Sequence, residues 1–232
     1  MKRFSTAILC LALLAGCQAG GVRSFWDKHG LDYSDLRAAE DRFADFAELA
    51  VAAPEEDALA AMDVLFDKLK RDTAGYYLYS EWMDGAFYTL LSPCRNAVLY
   101  GKAVDRITAD GILEPYECEP FLQKREWMQY NQEGAKAFVP GISRFDARTL
   151  VLVLDLGCPT CREALEAMAA DPQWDGLRKL AVGLGYGPRP EVPGWEYLFP
   201  ENGTTVFDLH MTPIYFVVNA DGTVESGYTP AR

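Results

Sequence analysis

The sequence predicts an α/β domain at its C-terminal end, preceded by an all-α helical domain. Two features predict the α/β part: the continuous apolar run of residues 150–154 and the Cys-x-x-Cys motif of residues 158–161 directly after it. Upstream, apolar residues recur at helical spacing, which predicts amphipathic helices. The pattern changes at a Pro-Gly pair, so we expect the helical domain over residues 34–140 and the α/β domain over residues 141–232.

The first residues have the features of an export signal. Two basic residues precede the apolar segment 6–15, which is too short to span a bilayer as a stable helix. The segment Leu14-Ala15-Gly16-Cys17 resembles the lipobox of bacterial lipoproteins. The resemblance implies that the signal peptide is residues 1–16, that the Cys17 sulfur is acylated, and that residues 17–33 form a lipid-anchored tether. The alternative is an ordinary secretory signal with a chance cysteine.

The residue after the lipobox cysteine bears on localisation. In well-studied Gram-negative bacteria an Asp there favours retention in the inner membrane, so Gln18 favours the outer membrane. No acidic run follows that would resemble a surface-export tag. We therefore expect a protein of the cell envelope, anchored by its lipid to the outer membrane and facing the periplasm.

Composition excludes some classes of partner. The formal net charge is -12, and an acidic surface repels phosphate backbones and anionic lipid head groups. We therefore expect no nucleic-acid partner, and membrane contact only through the N-terminal lipid. Half of the residues are apolar, which is enough to build a packed core.

The helical domain is expected to contain several helices of similar length. Ser34 is expected to cap the first helix, and Pro54 to open the second at its tolerated first turn. Further helices are expected over residues 75–91, 95–109 and 117–132. The third is rich in aromatic residues, which either fill the core between helices, the interpretation we favour, or line a groove for a partner.

The α/β domain is expected to contain strands at residues 150–154, 177–184, 214–218 and 223–228, with a helix over residues 162–169. The first strand is apolar throughout, which is typical of a central strand buried on both faces. A loop rich in proline and glycine follows the second strand. Asp221-Gly222 is a strong signal for the turn of a β-hairpin that joins the last two strands.

The order strand, Cys-x-x-Cys, helix, strand, Thr-Pro and hairpin resembles the thioredoxin fold. The resemblance rests on Cys158-Pro159-Thr160-Cys161 and on the segment from Thr212 to Gly222, and it covers about residues 141–232. More narrowly, the chain resembles Bacteroidota lipoproteins that join a helical domain of unknown function, of the DUF5106 type, to a thioredoxin-like domain.

The cysteine motif has a clear chemical rationale. At the start of a helix the first sulfur faces unpaired backbone N–H groups and the positive end of the helix dipole, which lowers the pKa of its thiol. Cys158 is therefore the candidate nucleophile that attacks a substrate disulfide, and Cys161 the residue that resolves the mixed disulfide. A structural disulfide between the two is the alternative. No metal or other cofactor is expected.

The resemblance also implies roles for the second motif. It places Thr212 and Pro213 opposite the cysteines, with a cis bond before the proline, where the backbone of Thr212 can pair with an extended substrate segment. The chain departs from thioredoxins proper at the buried acid six residues before the first cysteine, where it has Leu152. Asp155 is nearer to the site, and Gly157 stands where thioredoxins have tryptophan.

Two more cysteines, Cys94 and Cys118, lie in the helical domain. They could form a structural disulfide there or remain two free buried thiols. A zinc site shared with the Cys-x-x-Cys motif is a weaker alternative, because these cysteines are far apart in sequence and an oxidising compartment favours disulfides.

We derive two hypotheses for function. The first is a periplasm-facing thiol–disulfide oxidoreductase that reduces or isomerises protein disulfides, with electrons from a thiol donor. The second is a non-catalytic lipoprotein whose helical domain binds a partner and whose thioredoxin-like part is a scaffold with a structural Cys158–Cys161 disulfide.

Overall fold

The computed structural model describes residues 21–231, and the chain divides into two compact units between Arg125 and Glu126. The helices of the first unit are α1 (Phe25–Lys28), α2 (Leu36–Ala52), α3 (Glu55–Leu69), α4 (Thr73–Met83), α5 (Ala97–Ala109) and α6 (Pro115–Trp127). The last of these helices runs across the division.

Short polar side chains define where these helices begin. Asp35, Asp72 and Asn96 each accept backbone N–H groups at the first turn of α2, α4 and α5. The expected cap of the first long helix was Ser34, and this was wrong by one residue. The Ser34 hydroxyl instead donates to the carboxylate of Asp32 at 2.8 Å.

Aromatic side chains fill the interior of the helical unit. Tyr76, Tyr79 and Phe87, from the aromatic-rich segment, are fully buried. They pack with aromatic residues from the other helices of the unit: Tyr79 contacts Trp26 and Phe43, Phe87 contacts Phe43, and Tyr76 contacts Phe66. The contacts of Tyr79 and Phe87 are edge-to-face, an arrangement that stabilises a core beyond simple area burial. These aromatic residues therefore belong to the core, which is the interpretation favoured from the sequence.

The single helix expected over residues 75–91 is interrupted. Helix α4 ends at Met83, and a π-helical turn, Asp84–Tyr88, follows it. The carboxylate of Asp84 accepts hydrogen bonds from the Tyr100 hydroxyl at 2.8 Å and the Lys124 ammonium at 2.7 Å. These two bonds tie the start of the turn to helices α5 and α6.

The second unit is built on a five-stranded sheet with the order β3-β2-β1-β4-β5. Its strands are β1 (Thr149–Asp155), β2 (Arg178–Leu184), β3 (Glu196–Leu198), β4 (Ile214–Val218) and β5 (Val224–Pro230). Strands β1, β2 and β3 are parallel, whereas β4 is antiparallel to both β1 and β5. The central position of β1 explains why its sequence is apolar throughout.

Helix α7 (Pro159–Ala170) packs against β1. Its buried residues Cys161, Leu165 and Met168 form one apolar cluster with Leu152 and Leu154 of the strand. Burial of such side chains contributes about 2 kcal/mol each. The cluster therefore fixes the start of α7, and with it the cysteine motif, against the end of the central strand.

The hairpin expected at the end of the chain is present. Gly222 has a φ of +84°, a left-handed conformation that a residue with a Cβ rarely adopts. The carboxylate of Asp221 accepts the backbone N–H of Thr223 at 2.9 Å. This turn joins β4 and β5.

The boundary between the units lies before the expected position at residues 140/141. The segment 126–140 belongs to the second unit because it hydrogen-bonds along the hairpin. The N–H of Gly134 donates to the carbonyl of Val224 at 2.8 Å, and that of Ala137 donates to the carbonyl of Gly222 at 2.9 Å. Such long-range backbone pairing leaves no signal in the local sequence.

Candidate active site

The cysteine motif lies where β1 passes into α7. Cys158 is the N-cap residue, with an extended backbone at φ −96° and ψ 119°, and Pro159 is the first residue of the helix. Proline is tolerated there because the first N–H groups of a helix have no intrahelical partner. The side chain of Cys158 therefore lies at the positive end of the helix dipole.

The sulfur of Cys158 is partly exposed and stabilised as a thiolate. The Thr160 hydroxyl lies 2.9 Å from it and is the first cause of a pKa below the ordinary value for cysteine. The backbone N–H of Cys161 is the second cause of the lowered pKa. A partly exposed sulfur with a lowered pKa has the properties of an attacking thiol.

Cys161 has the opposite environment. Its side chain is 1% exposed, and burial raises the pKa of its thiol to about 11. The sulfur accepts a long hydrogen bond from the backbone N–H of Asp155, at 3.4 Å. Cys161 is therefore protonated at neutral pH, while its neighbour is the more acidic thiol.

The Thr212-Pro213 motif lies beside the cysteines. The peptide bond between the two residues is cis, and the Thr212 hydroxyl donates to the carbonyl of Leu209 at 2.8 Å. The same hydroxyl acts on the Cys161 thiol, whose pKa it lowers against the larger effect of burial. Strand β4 starts directly after the proline and pairs Ile214 with Val153, near the end of β1 that leads into the motif. The structure therefore brings together the two segments that the sequence singled out.

The backbone of Thr212 is only partly available for pairing with a substrate. Its N–H donates to the carbonyl of Leu209 at 3.3 Å. Within residues 21–231, the Thr212 carbonyl accepts no backbone hydrogen bond outside the regular elements. An extended segment could therefore donate an N–H to this carbonyl without displacing another bond.

The acidic residue nearest in sequence to the motif has a structural role. One carboxylate oxygen of Asp155 accepts the N–H of Gly157 at 2.9 Å, which closes the turn before Cys158. Leu152, at the position of the buried acid of thioredoxins, is fully buried among apolar side chains. The site therefore has no carboxylate at that position.

The sequence did not predict several residues around the cysteines. Thr160 lies inside the motif, but nothing in its sequence context indicated a contact with the first sulfur. Pro188 and Pro190 line a small cavity with Cys158 and Cys161. They come from the loop between β2 and β3, whose path over the motif depends on tertiary packing.

Cys94 and Cys118 are not part of this site. Both are free, buried thiols of the helical unit, so the disulfide considered for them is not formed in the structure. Burial raises the pKa of each thiol. Within residues 21–231 no group of three or more His, Cys, Asp or Glu side chains is arranged to hold a metal ion.

The residues of the expected export signal and lipid anchor, including Cys17, lie outside the described residues. Among residues 21–231, no helix combines the length and the apolar character needed to cross a membrane.

Comparison with solved structures identifies the class of fold. The chain is similar to a thioredoxin-like protein from Bacteroides caccae, with a TM-score of 0.69 and 20% sequence identity. The match covers 92% of this chain and 89% of that protein. The sequence matches no protein-family model and no curated protein. The fold is therefore thioredoxin-like, preceded by a helical unit, and this part of the prediction is confirmed.

Proposed function

We propose that the protein is a thiol–disulfide oxidoreductase that reduces or isomerises protein disulfides through Cys158 and Cys161. The observation that carries the proposal is the difference between the two thiols. Cys158 is accessible with a lowered pKa, whereas Cys161 is buried with a pKa of about 11. A structural disulfide needs no such difference.

The proposed reaction has two exchange steps. The Cys158 thiolate attacks one sulfur of the substrate disulfide, forms a mixed disulfide, and releases the other substrate sulfur as a thiolate, which takes up a proton. Cys161 then loses its proton and attacks the Cys158 sulfur, which releases the second substrate thiol. The substrate gains two electrons and two protons, and the protein is left with a Cys158–Cys161 disulfide. A dithiol donor protein returns it to the reduced form.

The environment of Cys161 suits the second step. Its raised pKa keeps it from competing as the attacking group, since the thiolate is the nucleophile. Attachment of a substrate to Cys158 removes the thiolate beside Cys161. Because that charge is one of the causes of the raised pKa, its loss helps Cys161 to ionise.

Insulin reduction tests the activity. The full mature chain should reduce insulin in the presence of dithiothreitol, and Cys158→Ser should abolish the rate above background. Cys118→Ser, which changes a buried thiol of the other unit, should retain it. A wild-type rate equal to the background rate would favour the scaffold hypothesis, in which the helical unit binds a partner.

Trapping identifies the substrates. Cys161→Ser leaves the attacking thiol in place and removes the resolving one, so mixed disulfides should accumulate in cells and separate on reduction. The double variant Cys158→Ser/Cys161→Ser is the control and should trap nothing. Adducts of equal amount in both would contradict the assigned roles.

We also propose that the protein is a lipoprotein of the outer membrane, attached through Cys17 and facing the periplasm. The support is the lipobox-like sequence and Gln18 after it. Cys17→Ser should abolish incorporation of labelled palmitate and release the protein from the membrane fraction. Complete retention of the variant would contradict this anchor.

A further inference from the structure

A second cavity lies beside the cysteine motif. It is a groove of about 590 Å3 at the ends of β1 and β2, within the range of sites that bind peptide side chains or small ligands. It is lined by Leu156, Gly183 and Phe199, together with the exposed side chains of Tyr186 and Arg189. We call it the Arg189 groove. The exchange chemistry described above does not use it.

The groove is continuous with the reactive site through two elements. Leu156 lines both the groove and the cavity that contains the cysteines. The loop after β2 also contributes to both, because Gly187 and Arg189 line the groove while Pro188 and Pro190 line the cysteine cavity. The loop therefore forms a wall shared by the two cavities.

This wall is held close to the turn that carries Cys158. A Cβ on Gly187 would lie 2.2 Å from the carbonyl oxygen of Leu156, so only glycine allows the loop to pack there. The N–H of Leu156 also donates to the carbonyl of Leu184 at 2.9 Å. A peptide whose disulfide reaches Cys158 can therefore place in the groove a side chain that lies a few residues from its own cysteine, because an extended chain advances about 3.3 Å per residue.

The side chains of the groove favour a carboxylate. The guanidinium of Arg189 lies over the ring of Phe199, 4.4 Å from its centroid, and forms no ion pair among residues 21–231. Tyr186 is 99% exposed beside it, and arginine and tyrosine are residue types that dominate binding energy at interfaces. Glu201 lines the same groove, so its negative charge weakens the attraction of Arg189 for a carboxylate and opposes a ligand with several negative charges more strongly. The combination suits one acidic side chain.

We propose that the Arg189 groove binds the polypeptide segment beside the substrate disulfide and pairs Arg189 with an acidic side chain of that segment. The inference rests on the proposed oxidoreductase function and names the class of substrate it prefers. With a net charge of -12, the protein as a whole repels strongly acidic partners. The preference is therefore for a single carboxylate at a defined distance from the cysteine.

Exchange with short peptides tests the proposal. Each peptide has one cysteine in a disulfide with thionitrobenzoate, so attack of Cys158 on the peptide sulfur releases a coloured thiol. The series places Glu, Gln or Lys at each position from one to four residues on either side of the cysteine. The reduced full mature chain should react with one Glu peptide about three to five times faster than with its Gln counterpart, at low salt. The Lys peptide should be slower.

Three variants separate the groove from general charge effects. Arg189→Gln should reduce the Glu-to-Gln rate ratio to about one, and Arg189→Glu should reverse the preference in favour of Lys. Arg144→Gln removes an equal charge from an exposed residue that lines neither cavity, and should keep the ratio of the wild type. These comparisons use ratios, so they do not depend on the absolute reactivity of each variant.

The outcomes distinguish the two proposals. A Glu-to-Gln ratio near one at every position in the wild type, or an unchanged ratio in Arg189→Gln, would overturn the groove as an acidic-side-chain site. Dithiodipyridine, a small neutral disulfide, is measured alongside. If the ratios contradict the groove but Cys158 still reacts with dithiodipyridine, only the groove proposal fails and the oxidoreductase function is retained. No reaction with dithiodipyridine or any peptide would overturn both proposals.

Discussion

The hydroxyl oxygen of Thr160 lies 2.9 Å from the sulfur of Cys158, within the first turn of helix α7. The backbone of a helix start brings residues two apart close enough for this contact when the first is an N-cap. A hydroxyl that donates to the sulfur stabilises the thiolate over the thiol, and it is the largest cause of the lowered Cys158 pKa. Thr160, in the middle of the motif, therefore helps to make Cys158 a more reactive thiol.

Replacing Thr160 by Val removes this donor while it keeps the shape of the side chain. The pKa of Cys158 should then rise towards its ordinary value, so the thiolate fraction at neutral pH should fall. We expect alkylation of Cys158 by iodoacetamide to slow about threefold at neutral pH, which corresponds to the loss of one hydrogen bond. At a pH above both pKa values the two proteins should react at similar rates. The measurement is the pH profile of alkylation, with Cys158 followed by peptide mass.

Thr160→Ser is the matched control for that prediction. It keeps the hydroxyl and should retain the wild-type pH profile, apart from small changes due to the lost methyl group. An unchanged profile in Thr160→Val would mean that the backbone N–H of Cys161 and the helix dipole alone lower the pKa.

The parts of the structure that the sequence predicted are those with strong local signals. The apolar run in β1, the Asp221-Gly222 turn and the Cys-x-x-Cys motif each depend on residues close together in the chain. The nearness of Thr212 to the cysteines followed from the resemblance to a known fold, since no local signal joins segments that far apart.

The parts that the sequence missed depend on long-range packing. Strand β3 (Glu196–Leu198) has three residues, too few for a periodic pattern, and it exists because β2 offers an edge for parallel pairing. The cap of α2 was misplaced because Ser34 and Asp35 are both good N-cap residues. The Arg189 groove is formed largely by residues of the loops after β2 and β3, such as Tyr186, Arg189 and Glu201, which the sequence marks only as loop.

Leu152 links the core to the cysteine motif, since it packs in the same apolar cluster as Cys161. Leu152→Ala should destabilise the protein by about 3 kcal/mol, because the fully buried site cannot collapse around the smaller side chain. Urea unfolding of the reduced protein measures the loss. Leu122→Ala, at a leucine that is 44% exposed, is the control and should change the free energy of unfolding by less than about 1 kcal/mol. Equal losses in both variants would contradict the assigned burial.

Arg106 connects three carboxylates in the helical unit. Its guanidinium lies 2.7 Å from Asp63, 2.6 Å from Asp67 and 3.1 Å from Asp110, and the Asp110 side chain is only 4% exposed. Arg106→Met should cost about 2 kcal/mol of stability, because the buried carboxylate loses one of its cationic partners. Arg125→Met, which breaks an exposed pair with Asp105, should cost less than about 1 kcal/mol.

The cost of Arg106→Met should depend on pH. Hydrogen bonds from Lys102 and Arg106 outweigh the effect of burial and lower the pKa of Asp63. A carboxyl group with a lowered pKa in the folded state stabilises the protein above its unfolded pKa, and this stabilisation is lost as the pH falls through the folded pKa. The difference between wild type and variant should therefore be largest near neutral pH and shrink below about pH 4. A difference that grows in acid would contradict the pairing.

A substitution at Gly187 tests whether the loop beside the cysteines is held in place by close backbone contact. An alanine there would put its Cβ 2.2 Å from the carbonyl oxygen of Leu156, a distance that no side-chain rotation relieves. We expect Gly187→Ala to push the loop away from the motif and to lower the rate of exchange with peptide disulfides more than the rate with dithiodipyridine. Gly101→Ala is the control, because its Cβ would meet nothing within 4 Å and alanine favours the surrounding helix α5 by about 1 kcal/mol. If Gly187→Ala left both exchange rates unchanged, the loop would not form a wall of the substrate site, and the contact with Leu156 would serve packing alone.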